Sequence, residues 1–343
     1  MPLDFGIFIF RLCVSLFYLS VSCFLTYIIV FQIVNKKVRN VFLGINWLPL
    51  LVLPLVIPFD YRLFRLMIVL GAGFHVVRSL DFMSAKPPFP RKPLFRQFFF
   101  YTFFALALKY PDPAMAGRAR DFSGLLQILR GGLMSSFVIL MMTANTCLGT
   151  PETAFWLNLF CKMAEWYLLF VGFMDFYYGI GKLVRIEGRV NLREPILSRS
   201  PADFWFNRWN LPIIEYIQKY IFLPLDALNH PYRATFLTFL ASGLLHEYGF
   251  DIAVGAVNGY VLAFFLIHGA AVMGIRAVKR PLRRGFPKFY RFWWKGKTAE
   301  VIQIAANLVF FVLTGQLFFR AVDLVIDFHR IGFIIGFCEQ LAH

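Results

Sequence analysis

At 343 residues, 59% of them hydrophobic and only 16% charged, with a mean hydropathy of +0.64, the chain lies outside the soluble range of about 45–50% apolar and ~25% charged. A polytopic membrane protein is the class that remains. The net charge of +16, from 35 Lys+Arg against 19 Asp+Glu, concentrates in loops between apolar runs, which is the positive-inside pattern and argues against a nucleic-acid partner.

A membrane span needs about 20 apolar residues, and that length orders the chain. Phe5–Val34 is the first predicted span. It lacks a basic n-region and a small-residue cleavage site, so it reads as a retained span rather than a signal peptide. Val41–Phe59 is the second, interrupted by Pro49 and Pro54, and Leu63–Leu80 the third. A basic, proline-rich loop from Met83 to Arg96 follows. Phe98–Leu108 is apolar but too short to cross, and reads as an interfacial or re-entrant piece. Phe122–Leu148 and Ala154–Leu183 are the fourth and fifth crossings. Between Ala234 and Met273 only Glu247 and Asp251 are formally charged. A straight helix of that length would run about 60 Å, twice the hydrocarbon thickness, so a turn is expected between Gly249 and Gly255. A strongly basic loop, Lys279–Lys297, precedes a crossing at Val301–Phe319 and a weaker last one at Leu324–Leu341.

The expected fold is therefore an all-α polytopic membrane protein. It has about eight to ten transmembrane helices by the length rule, plus interfacial helices, around an intramembrane reaction chamber. Residues 1–343 form one integral-membrane domain. If Phe98–Leu108 does not cross, the basic loops at 36–39, 83–96, 185–212 and 279–297 all fall on one side, the cytosolic one. The five cysteines show no C-x-x-C and no metal-ligand spacing with histidine, and read as buried thiols acting as small hydrophobes.

Two elements within 198–251 carry chemistry. The first is Ser200-Pro201-Ala202-Asp203-Phe204-Trp205-Phe206-Asn207-Arg208-Trp209-Asn210. Ser200 and Asp203 suit a helix start with Pro201 in its first turn, and helical spacing pairs Phe204 with Arg208 and Trp205 with Trp209. The bland account is an interfacial helix anchored by tryptophans, with Asn210 as its cap. The second is Ser242-Gly243-Leu244-Leu245-His246-Glu247, inside an apolar run where a charged side chain costs roughly 2.5 kcal/mol or more. A neutral imidazole there is a good general base. Glu247 points about 100° away on a helix and serves a neighbour rather than His246. The bland account of this pair is polar glue between helices. His268 reads as a packing histidine, His75 as one near a span end beside Arg78, and Glu165 and Asp175 as buried acids that either line the same chamber or do not. Gly71-Ala72-Gly73 and Gly179-Ile180-Gly181 read as close helix packing.

Together the two elements resemble the membrane-bound O-acyltransferase superfamily, above all its wax synthase branch, and more distantly its sterol and diacylglycerol acyltransferases. Phe206-Asn207 stands where that branch carries a small and a basic residue, a departure that bears on the substrate more than on the reaction. The resemblance implies His246 as catalytic histidine and Asn210 as essential asparagine. It places Trp205, Arg208, Trp209 and Glu247 at the substrates. It implies acyl transfer from acyl-CoA, a co-substrate, to a lipophilic alcohol, with no metal and no further cofactor because a thioester carries its own leaving group. The membrane would be a bacterial inner membrane or the endoplasmic reticulum, with membrane lipids as the surroundings. The alternative class is a transporter or ion pathway using His246 and Glu247, against which stands the lack of a repeated half.

Overall fold

The computed structural model of the chain describes residues 5–83, 92–103, 109, 122–147, 155–226, 230–294 and 296–326. All regular structure among them is helical. In chain order the helices are α1 (Phe5–Gln32), α2 (Lys36–Val52), α3 (Arg62–Phe82), α4 (Phe95–Phe103), α5 (Ser123–Cys147), α6 (Phe155–Leu183), α7 (Leu211–Ile217), α8 (Pro231–Val254), α9 (Tyr260–Gly285), α10 (Pro287–Trp294) and α11 (Lys297–Val325). Seven of the described helical segments are long and apolar enough to cross a membrane: α1, α2 with its 3-10 extension to Val56, α3 with its lead-in from Phe59, α5 to Asn145, α6, α9 and α11. Helix α8 is an eighth long helix, 24 residues, that carries Arg233, His246, Glu247 and Asp251. The chain is an all-α polytopic integral membrane protein.

The predicted spans fall on helices with ends shifted by a few residues, and four local differences stand out. Helix α8 runs through Gly249, which packs on Val69 and Leu66 of α3. The turn comes later, at Gly255 to Gly259, where both glycines have positive φ (81° and 73°) and a Cβ on Gly255 would collide with the Phe59 ring. The basic stretch after 279 is helical rather than a loop, as the end of α9 and then α10. Among the cysteines, Cys23 is buried and Cys161 half-buried, but Cys13 is exposed and Cys147 is disulfide-bonded. His75 lies fully buried, its Nε2 2.9 Å from the Thr26 hydroxyl, which also accepts from the Asn46 amide. The expected last crossing lies outside the described residues from 327 onward, as do residues 84–91 of the proline-rich loop and 104–108 of the short apolar piece. What is described of that piece, α4, is nine residues long.

Close packing is concentrated where small residues allow it. Helices α5 and α6 touch backbone to backbone: a Cβ on Gly131 would lie 2.5 Å from the Gly172 carbonyl, and one on Gly124 2.5 Å from that of Gly179. Without a hydrophobic drive between helices in lipid, such approach is what holds them. The other glycine run differs: Gly73 has open space and Gly71 only ordinary contact with Leu19. The main core cluster, including Phe239, Phe250, Phe264, Phe265 and Phe319, lies where α8, α9 and α11 meet. Gly243 lets α8 sit against Leu262 and Phe265 of α9, and Gly269 lets α9 sit against Phe239. This core forms the floor of the site.

Candidate active site

The segment before α7 is built to change direction. The Ser200 hydroxyl caps the turn Pro201–Asp203, accepting from the Asp203 N–H at 3.1 Å. Residues Phe204–Arg208 then wind with π spacing, closed by the Trp209 N–H on the Phe204 carbonyl at 2.9 Å. Trp209 is extended and Asn210 is left-handed (φ 46°, ψ 52°), a conformation asparagine tolerates better than most residues. The regular helix expected here is thus replaced by a widened turn and a reversal, and such π turns concentrate at functional positions. The extra residue per turn lets Phe204 stack on Trp209 at 5.4 Å and 15°.

The turn splits the motif between two cavities. Facing outward, Asp203, Asn207 and Arg208 line an open pocket of ≈ 580 Å³ with Leu192, Arg193 and Glu194. Arg208 Nε donates to Asp203 Oδ2 at 2.9 Å, and Nη1 donates to the carbonyls of Arg193 and Glu194. The Arg199 N–H and the Asn207 amide also donate to Asp203. Burial alone would raise the Asp203 carboxyl, but these donors and the guanidinium charge outweigh it and hold it below its ordinary value. Because the folded value lies below the unfolded one, this pairing stabilises the motif at neutral pH and is lost as pH falls through the depressed value.

Facing inward, Trp205, Phe206, Trp209 and Asn210 line a narrow cavity of ≈ 50 Å³. Ile213, Ile214 and Ile217 of α7, Thr238, Phe239, Ser242 and His246 of α8, and Phe265 of α9 complete it. The expected chamber is thus a slot with room for a few waters. His246 and Asn210, 36 residues apart in sequence, share its wall.

His246 is part of that wall, its ring tilted against Phe265 at 4.7 Å. Nδ1 lies 2.7 Å from the Ser242 carbonyl. A carbonyl only accepts, so Nδ1 carries the proton and Nε2 keeps its lone pair. Ser242 therefore fixes the tautomer through its backbone, not its hydroxyl. The Asn210 side chain makes no capping bond and has no hydrogen-bond partner among the described residues; its backbone carbonyl instead accepts from Ile213 and Ile214. An uncommitted amide and an uncommitted imidazole nitrogen meet one apolar cavity.

Glu247 lies elsewhere. Buried, it accepts the backbone N–H groups of Gly259 and of Leu262 (2.8 Å) at the start of α9, where an anion meets the positive end of the helix dipole. It ties α8 to α9 rather than facing the cavity. Asp175 pairs bidentately with Arg130 at 2.5–2.6 Å, and neither it nor Glu165 is among the cavity residues.

His268 does more than pack. Fully buried, it accepts the Trp205 indole N–H at Nδ1 (2.9 Å) and donates from Nε2 to the Thr314 hydroxyl (2.9 Å), which donates to the Phe310 carbonyl. This chain permits one tautomer and holds Trp205 at the cavity wall. His268→Ala leaves a buried indole N–H unpaired, a loss of about 1–3 kcal/mol. The expected result is a lower melting temperature, with turnover per folded molecule reduced less than roughly tenfold, because no proton-transfer group is removed. Parallel melting and activity assays of purified protein check it.

A second polar knot was not legible in the sequence, where Arg78 stands only as a neighbour of His75 near a span end. Arg78 Nη1 donates to the hydroxyls of Tyr216 (2.7 Å) and Tyr101 (3.0 Å), and Asp81 accepts from Tyr216, Tyr220 (3.0 Å) and Lys219 (2.9 Å). It anchors α7, which follows Asn210 directly, onto α3 and α4. Ionisable residues at three-residue spacing inside an apolar run were the signal that could have found it.

His246, with Nε2 unbonded, and Asn210, with its side-chain amide unbonded, thus line one narrow cavity of a helical integral membrane protein. A sequence model of the membrane-bound O-acyltransferase family (MBOAT) matches residues 133–308, just over half of the chain, and the chain belongs to that family. It is similar to several Arabidopsis thaliana proteins. Probable long-chain-alcohol O-fatty-acyltransferase 3 is 30% identical over 135 residues, 37% of each chain. Number 7 is 29% identical over 161 residues, 41% of this chain and 45% of the relative. Number 6 is 25% identical over 248 residues, 68% of this chain and 69% of the relative. The chain thus aligns with less than half the length of the first two.

Proposed function

We propose that the chain esterifies a long-chain alcohol with a fatty acyl group taken from acyl-CoA. The observation that carries this is that His246 Nε2 and the Asn210 side-chain amide, both without a hydrogen-bond partner among the described residues, belong to residues lining one narrow slot between aromatic walls. Its family and the names of its relatives support the same reaction class and a lipophilic acceptor. The alcohol enters from the bilayer; the donor enters past the outer pocket and the basic segments, which stand on the cytosolic side. His246 Nε2 takes the hydroxyl proton as the alcohol oxygen attacks the thioester carbon. The Asn210 amide donates to the oxyanion that forms. Collapse expels the CoA thiolate, which recovers the proton from the imidazolium, leaving an ester and free CoA. Arg208, with Nε and Nη1 engaged on its own loop, shapes the outer pocket; Trp205 and Trp209 bound the slot.

Purified protein in liposomes, given a long-chain acyl-CoA and a long-chain alcohol, is expected to form wax ester and release CoA in equal amounts, followed by mass spectrometry and thiol titration. Ester from neither sterol nor fatty alcohol, together with proton or ion flux in the same liposomes, would replace this reading with the transport one.

A further inference from the structure

The cavity face of α8 carries more polar groups than His246. Thr238, Ser242 and His246 recur every four residues, so they stack on one side of the helix, spanning about 12 Å from first to last. Thr238 is only 4% exposed, yet its hydroxyl has no hydrogen-bond partner, and it lines the same cavity as Asn210 and His246. The Ser242 hydroxyl is likewise unengaged among the described residues. A threonine inside a helix ordinarily returns its hydroxyl to the carbonyl four residues back, as Thr235 does on the same helix. Leaving it buried and unpaired is costly, so the position calls for a partner that arrives with a ligand.

The chemistry of that partner follows from where Thr238 stands. It lies toward the end of α8 that packs on residues 218–226, just downstream of the motif and its outer pocket. Past His246 in the other direction the helix meets Val69 and Leu66, which are apolar. A fatty chain or a long-chain alcohol has no hydrogen-bonding group remote from its reacting end. A pantetheine arm does: an extended amide chain advances about 3.5 Å for every three bonds, which places both its amides within the first roughly 10 Å from the sulfur. We propose that the Thr238 hydroxyl is a donor-binding group that hydrogen-bonds the pantetheine amides of the acyl donor, with Ser242 as the rung between it and His246. This rests on the acyl-CoA reading above.

The test compares two donors in two variants. Thr238→Val keeps the shape and removes the hydroxyl; Thr238→Ser keeps the hydroxyl. With acyl-CoA, Thr238→Val is expected to raise the donor KM roughly three- to tenfold, the size of one net hydrogen bond, leaving kcat and the alcohol KM near wild type. Thr238→Ser should stay within about twofold. With the acyl thioester of a plain alkanethiol, which has no amides, the gap between Thr238→Val and wild type should close. An equal penalty with both donors, a shift in the alcohol KM instead, or an unchanged donor KM with acyl-CoA would overturn the assignment while the acyl-CoA reading stands. Wild-type protein that makes no ester from acyl-CoA would remove that reading, and this inference with it.

Discussion

Replacing His246 with alanine is expected to lower turnover by about 100-fold or more, the usual contribution of a positioned general base. The geometry makes the expectation specific. With Nδ1 held on the Ser242 carbonyl at 2.7 Å, Nε2 is the nitrogen able to accept a proton, and His246 is part of the cavity wall. His246→Gln keeps a polar side chain of similar reach but supplies no basic nitrogen, so it should be as inactive as alanine. A histidine serving only as glue between helices predicts the opposite: a lower melting temperature and near-normal turnover in the protein that remains folded. Purified variants with wild-type melting and wild-type ester formation would remove His246 from the reaction.

The second large effect is at Asn210. Loss of one oxyanion donor is worth about 100- to 1000-fold in kcat, and the Asn210 amide is the uncommitted carboxamide at the cavity. Alanine is a poor test alone, because the left-handed backbone (φ 46°) costs a residue with a Cβ about 1–2 kcal/mol. Asn210→Gly removes the amide while accepting that conformation, so it isolates the chemistry from the strain. Glycine should therefore be as inactive as alanine while melting closer to wild type. Groups that stabilise one transition state do not add independently. The His246→Ala/Asn210→Gly double variant should be little slower than the worse single one. Fully multiplicative losses, or an Asn210→Gly variant that turns over normally, would break the link between the two residues.

Much of the architecture could be read from hydropathy alone, because spans are set by length and apolarity. The two motif elements were also visible, since polar residues inside apolar runs mark themselves. What periodicity could not give was their geometry. An α-helical reading of 204–210 has no place for the π turn or the left-handed Asn210, which accompany the packing of Phe204 on Trp209 and Phe311. Thr238 carries no sequence signal, because a lone threonine in an apolar helix has an ordinary local partner; only its failure to use one, seen in three dimensions, sets it apart. His268 reads as a packing residue in the sequence because its two partners, Trp205 and Thr314, lie 63 and 46 residues away. Glu247 faces a stretch of backbone synthesised after it, which no pattern on its own helix could reveal.

That last tie bears on how the chain enters the bilayer. Helix α8 is long enough to span, but Arg233, His246, Glu247 and Asp251 keep it apart from the seven strongly apolar segments, and insertion penalises such residues near a helix centre. The groups that satisfy its acids are the Asn258, Gly259 and Leu262 N–H groups, all of which leave the ribosome later. The acids of helix α8 therefore find their partners only once the start of α9 has been made. A nascent chain arrested before Asn258 would hold α8 with Glu247 and Asp251 deprived of the backbone groups that satisfy them.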